Sequence, residues 1–182
     1  MDIDYNDHTL YPFIEFLEAN ADVFAAEAQR LVDGDFVPMP ESGINYTTGS
    51  WSACPLFLEQ YGDDFPESIF EGNRERCPNT AELLKRIDNL VVGGFMVLRA
   101  GGKIRMHRDH RKDNVIRVHL ALQLPKHEQA YWDEGRARLI DIRAPHQAHN
   151  DSETDRLTLC CDVRMDFEIP NDAIAPWGPP AT

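Results

Sequence analysis

Six of the seven histidines lie between residues 107 and 149, and this clustering is the strongest chemical signal in the chain. His107-Arg108-Asp109 sets an imidazole and a carboxylate two residues apart. On extended backbone side chains alternate, so both point to one side and can grip a single metal ion. The same H-x-D pattern recurs at His149-Asn150-Asp151, but no histidine follows it to complete a set of three. For His107 and Asp109 the completing ligand is His146 or His149. Two histidines and one carboxylate on one face of an octahedral metal leave three positions open, the arrangement of non-haem Fe(II) oxygenases. A zinc-dependent hydrolase would draw on the same residues, although no additional general base is evident, and on spacing alone surface or capping histidines are an equal reading. Arg156 stands at the mouth of an apolar run, where a cation is costly unless it meets an anion. That anion is a ligand carboxylate or, on the residues alone the preferred reading, a structural salt-bridge partner.

The elements that must position these groups are mainly strands. After Asn89 the chain turns to short runs rich in Val, Ile and Leu, broken by Gly, Pro, Asn and charged residues. The strands expected are 90–99, 104–107, 115–124, 137–142 and 157–165. The clearest is 115–124, in which Ile116, Val118, Leu120 and Leu122 share one face and Arg117, His119, Ala121 and Gln123 the other. Its second face is too rich in function-bearing side chains to be ordinary solvent-facing filler. Upstream, Phe13, Phe16, Leu17, Phe24, Ala28 and Leu31 recur at helical spacing over 11–32, with Pro12 in the first turn and Asn20 as a point of interruption. Residues 34–72 read as irregular structure packed by scattered aromatics. Asn79-Thr80 reads as the cap of a short helix running to Ile87. The Pro-rich end, 175–180, cannot continue a central strand.

Length and charge bound the rest. With 182 residues, 42% hydrophobic and 27% charged, the chain is expected to form one domain: a helical and irregular part over 1–89, a strand core over 90–170 and a tail over 171–182. Its net charge of -13 lies wholly in the first eighty residues, which hold 16 acidic and 3 basic side chains, while the remainder holds 15 of each. That balance argues against a nucleic-acid partner, which needs a basic face. No apolar run approaches a membrane span, the acidic start lacks the features of a secretory signal, and four cysteines are few, so a cytoplasmic setting is expected. Residues 99–117 nonetheless carry seven basic side chains, either a belt for an acidic substrate or a solvated loop.

Several motifs in order bear a family resemblance: Cys77-Pro78-Asn79-Thr80, Gly101-Gly102, His107-Arg108-Asp109, Arg117-Val118-His119-Leu120, Trp132-Asp133-Glu134-Gly135, and the run from His146 to Arg156. Together with the entry Tyr11 to Asn20 and the exit Cys161-Asp162-Val163, they resemble the aspartyl/asparaginyl beta-hydroxylase family, which uses Fe(II), 2-oxoglutarate and O2. The resemblance implies a mainly β fold, a double-stranded β-helix (jelly roll, cupin-like) with N-terminal helices packed outside. It selects His146 over His149, because the family's distal ligand precedes its arginine by ten residues and is followed four later by a polar amide, here Asn150. Metal ligands are then His107, Asp109 and His146. Arg156 would bind the far carboxylate of 2-oxoglutarate, with His119 and Arg117 lining the same pocket. Some members have a small residue in place of Asp109, and many have a serine where Met96 stands. The implied substrate is an aspartyl or asparaginyl side chain or a related amino acid, free, carrier-bound or in a peptide or protein. A lipid is less expected without a membrane segment. The competing class is a cupin-like metal-binding protein that does not turn over.

Overall fold

The computed structural model describes residues 4–40, 44, 50–59, 65–109, 114–170 and 173–174. The helical stretch at the start is two helices, α1 (Pro12–Ala19) and α2 (Ala21–Ala28). They part at Asn20, whose side-chain amide donates to the Phe16 carbonyl at 2.7 Å and so takes the acceptor that its own backbone N–H would use in a continuing helix. The buried apolar positions are Ile14, Leu17, Phe24 and Ala28, while Phe13 and Phe16 stay half-buried at the edge.

Residues 34–72 are not irregular throughout. They hold β1 (Val37–Pro38), β2 (Trp51–Leu58) and the start of α3 (Glu67–Arg76). Two features hid β2. It is buried on both faces and so lacks alternation, and it carries Pro55, a residue that speaks against a central strand. The sheet accommodates the proline at a register shift between Pro55 and Phe57.

A short helix, α4 (Pro78–Leu84), follows α3. Asn79 and Thr80 do not cap it with their side chains. The Glu27 carboxylate reaches from α2 instead, accepting from the backbone N–H of Asn79 at 3.1 Å and of Thr80 at 2.7 Å. Burial works to raise the Glu27 carboxyl, but these hydrogen bonds outweigh it and hold it below its ordinary value.

The strand half then runs β3 (Leu90–Leu98), β4 (Lys103–His107), β5 (Val115–Gln123), β6 (Ala137–Ile140), β7 (His146–His149) and β8 (Arg156–Arg164). β7 has no apolar alternation and is absent from the sequence-based set. Pairing is nested and antiparallel: β3 with β8, β4 with β7, β5 with β6. Winding paired strands first to last in this way makes a double-stranded β-helix. Its larger sheet, ordered β1-β2-β3-β8-β5-β6, faces the two-stranded β4-β7 sheet. At the crossover from β3, Gly101 takes φ 71°, and backbone bonds of 2.7 and 2.8 Å join Gly101 and Gly102 to Asn150 just past β7.

Each strand of the large sheet divides its side chains between two environments. Phe95 and Val97, Ile116, Val118 and Leu120, and Leu157, Leu159, Cys161 and Val163 join Tyr11, Leu17 and Phe24 in the main core under the helices. The opposite faces of β5 and β8, with Arg117, His119, Arg156, Thr158, Cys160 and Asp162, look into the barrel. Cys160 and Cys161, as neighbours in a strand, fall on opposite sides, and all four cysteines are buried and in no disulfide.

Gly94 tests how tightly β2 and β3 pack. A Cβ there would lie 2.7 Å from the Cys54 carbonyl oxygen and 2.9 Å from the Pro55 Cα, both backbone atoms, whereas one at Gly34 would meet nothing within 4 Å. Gly94→Ala is expected to destabilise the fold by about 2–3 kcal/mol, and Gly34→Ala by less than about 0.5 kcal/mol, measured as the shift in urea midpoint. Equal shifts would contradict the close approach of the two strands.

Candidate active site

Strand register makes the site. β4 and β7 pair so that His107 lies directly opposite His146, and the two imidazole rings come within 4.1 Å between centroids. Beyond the end of β4 the Asp109 backbone N–H donates to the Ile142 carbonyl at 2.9 Å, which turns its side chain back toward the pair. The Asp109 Oδ1 atom then stands 3.4 Å from His107 Nε2 and 3.7 Å from His146 Nε2. Among the described residues these three form a set whose ligand atoms all lie within 4.8 Å of one another. His149 sits at the far end of the same strand, opposite Lys103, with its side chain about half exposed and near Asp151.

Every member of the set has its other polar atom committed. His107 Nδ1 is 2.7 Å from the Arg105 carbonyl and His146 Nδ1 is 3.0 Å from the Ala144 carbonyl. A carbonyl only accepts, so each Nδ1 carries a hydrogen and each Nε2 is the ring atom left to face the site. Burial pushes the His146 imidazole below its ordinary pKa, which favours the neutral form. On Asp109 the second oxygen, Oδ2, accepts from Arg117 Nη1 at 2.9 Å.

Arg117 is itself gripped from behind. Its Nε and Nη2 donate to the two oxygens of Asp162 at 2.7 and 2.9 Å, and the Asp162 side chain is completely buried. Burial alone would lower the Arg117 pKa, but the surrounding charges, Asp162 foremost and Asp109 with it, and the hydrogen bonds to Asp162 together outweigh it and hold the guanidinium protonated, well above its ordinary value. Two carboxylates against one guanidinium leave a single formal negative charge beside two imidazoles, a balance that suits a divalent cation.

Further into the barrel His119 Nδ1 lies 3.3 Å from the Thr158 hydroxyl. Burial, reinforced by the charges of Arg117 and Arg156, pushes this imidazole well below its ordinary pKa and keeps it neutral. Arg156 is buried and lies 3.3 Å through Nη1 from Oε1 of Glu128, which is equally buried. The salt bridge expected of Arg156 therefore exists, yet the same arginine also lines a cavity with His107, Arg117, His119 and His146. That cavity is small, about 50 Å³. A second one of about 390 Å³ takes in Asp109, His107 and Arg117 and is walled largely by apolar side chains including Trp51, Phe57, Phe65 and Phe70.

Three of the seven members of the basic belt are neutralised within the chain. Arg99 pairs with Asp33 and Asp155, Lys103 with Asp151, and Arg117 as described. Arg108 donates to the Arg143 carbonyl and borders the larger cavity, while Arg111 and Lys112 lie outside the described residues. Two contributors carried no role in the sequence reading, Asp162 and Glu128. Asp162 could have been found, since an acid inside the apolar run from Leu157 to Val163 demands a buried cation. Glu128, in the short turn Glu128–Ala130, gives no such signal.

The chain is similar to an ornithine lipid ester-linked acyl 2-hydroxylase from Rhizobium tropici, 28% identical over 110 residues that make up 55% of this chain and 39% of that protein. It thus spans well under half the length of that relative. Among solved structures it is similar to a prolyl-4-hydroxylase from Pseudomonas putida (15% identity, 82% of this chain and 86% of that one, TM-score 0.41). It is also similar to a predicted oxalate decarboxylase from Thermotoga maritima (11% identity, 74% and 98%, TM-score 0.40). The decisive match is to a family model that covers residues 18–165 and takes in all three triad residues together with Arg117, His119 and Arg156. The chain belongs to the aspartyl/asparaginyl beta-hydroxylase family.

Proposed function

We propose that this chain is an Fe(II)- and 2-oxoglutarate-dependent dioxygenase that hydroxylates a C–H bond. The observation that carries the reading is the triad of His107, Asp109 and His146, whose three ligand atoms converge while their remaining polar atoms are held by this chain's own groups. Two imidazoles and one carboxylate suit non-haem Fe(II) and leave coordination positions open. When bound, the iron with 2-oxoglutarate and O2 supplies the oxidising chemistry, in which the cosubstrate becomes succinate and carbon dioxide.

The protein's part is binding and orientation. Arg117 fixes Asp109 so that a single oxygen faces the metal position. Arg156, planar, charged and lining the smaller cavity, is the partner for the far carboxylate of 2-oxoglutarate. His119 is neutral and adds no charge to that pocket, and the buried Leu98, Ile104 and Ile140 around it exclude water.

The larger cavity is the place for the substrate to be hydroxylated. An aspartyl or asparaginyl residue, or a related amino acid, can set its polar group beside Arg108. One observation favours a second reading of the substrate. A short acidic side chain leaves most of 390 Å³ of largely apolar space unfilled, whereas an acyl chain or an apolar amino-acid side chain fills it. The similar protein from Rhizobium tropici is named for acyl 2-hydroxylation, which agrees with an acyl substrate. Among the described residues no helix is long and apolar enough to cross a membrane.

Three outcomes are expected. Anaerobic addition of Fe(II) and 2-oxoglutarate should give a visible charge-transfer band that disappears in His107→Ala and His146→Ala, and in Arg156→Ala should require about tenfold more 2-oxoglutarate or beyond. Metal binding with no such band in the wild type would favour the non-catalytic cupin-like alternative. Asp162→Asn, with its fold checked by thermal melting, should weaken Mn(II) binding by roughly tenfold or more through the loosened Arg117. Unchanged affinity would remove Asp162 from the support of the metal site. Finally, acyl compounds and N-acyl amino acids should stimulate succinate formation more than aspartyl peptides do, and the reverse order would return the substrate to the aspartyl class.

A further inference from the structure

The two cavities share a partition. Trp51, Met96, His107 and Arg117 line both, so whatever happens to these side chains changes the two spaces together. The smaller space is also too small for the ligand assigned to it. About 50 Å³ accommodates roughly three or four waters, whereas a five-carbon chain with a carboxylate at each end must stretch from the triad to Arg156. One wall has to move.

Most walls are held. Arg117 is fixed between two carboxylates, His107 and His146 by backbone carbonyls, His119 against Thr158, and Arg156 against Glu128. Leu98, Ile104 and Ile140 are buried in strands, and Trp51 is large and nearly buried. Gln147, which is exposed, and Ala148 line only the smaller cavity and are not part of the partition; of the four residues that are, Met96 differs from the rest. It is half-buried, unbranched and turns about three side-chain bonds, so it changes shape at low cost. It also has somewhere to go. In the sheet it stands opposite Thr158 of β8 on one side and Ala53 of β2 on the other. Ala53 and Gly94, both without bulk, lie in the wall of the larger cavity.

We infer that Met96 is the movable wall of the cosubstrate pocket: its side chain swings over Ala53 into the larger cavity before 2-oxoglutarate reaches Arg156. The size and stiffness of residue 96 then set which 2-oxo acid binds. This rests on the oxygenase reading above. It also orders the ligands. With the cosubstrate seated, Met96 forms part of the floor on which the substrate packs. A substrate that fills the larger cavity first blocks the swing.

The test uses the whole chain loaded with Mn(II), which does not turn over, and calorimetric titration with 2-oxoglutarate and with the one-carbon-longer 2-oxoadipate. A pocket closed nine-tenths of the time binds about tenfold more weakly than an open one. Met96→Ala is therefore expected to bind 2-oxoglutarate about tenfold more tightly than the wild type and to gain binding of 2-oxoadipate. Met96→Ile, of similar size but stiff at χ1, is expected to bind about tenfold more weakly. Opposite shifts from two variants at one position cannot both come from damaged folding, and thermal midpoints check each. Equal 2-oxoglutarate affinity in all three proteins, with 2-oxoadipate still rejected by Met96→Ala, would overturn the role of Met96 and leave the oxygenase reading standing. Metal binding without 2-oxoglutarate binding in any of the three would overturn the oxygenase reading, and this inference with it.

Discussion

The guanidinium of Arg117 lies between two carboxylates of opposite standing, Asp162 behind it and Asp109 in front, and the geometry of the site depends on this tie. Asp162 is completely buried, so its charge would be untenable without a cation in bidentate contact. Arg117 in turn is nearly buried and has an Nη1 left over after meeting Asp162, which it gives to Asp109. The consequence reaches the chemistry directly: Asp109 keeps one oxygen for the metal position and loses the freedom to rotate. A buried charge pair of this kind is a poor source of net stability. Here it serves orientation, as the supporting hydrogen bonds of metal sites generally do.

The same strands that supply this tie also supply the core. β5 and β8 present Ile116, Val118, Leu120, Leu157, Leu159, Cys161 and Val163 to the helices and Arg117, His119, Arg156, Thr158 and Asp162 to the barrel interior. Packing on one face therefore fixes the positions of charged groups on the other, because a one-residue slip would exchange the two sets. The outer helices contribute by burying the apolar face. Glu27, which closes the N-terminus of α4, ties α2 to that helix and keeps the layer in place.

A site with two unequal chambers follows from where the bulky and the small residues fall. Arg156, His119 and Thr158 make the smaller chamber polar on one side, whereas Phe57, Phe65 and Phe70 make the larger one apolar. The basic belt that suggested an acidic substrate is neutralised in part, at Arg99, Lys103 and Arg117, by Asp33, Asp151, Asp155 and Asp162 of the same chain. Charge counted along the sequence takes no account of such partners, which are distant in sequence and adjacent in space.

The sequence by itself determined the alternating strand 115–124, the H-x-D pair His107 and Asp109, the family and hence the nested β-helix, because each of these is written in local residue order. It also held the two alternatives for the third ligand without deciding between them on spacing. The tertiary structure brings His146 to the pair, by setting β7 against β4 in a register that puts His146 opposite His107 and leaves His149 at the exposed far end. β7 has no apolar period of its own, so pairing rather than propensity makes it a strand. Tertiary structure likewise decided that β2 is a central strand despite Pro55, that Glu128 meets Arg156 across 28 positions, and that Asp162 reaches Asp109 through Arg117. Contacts of this kind depend on the register of strands far apart in the chain, and no local pattern of residue types records it.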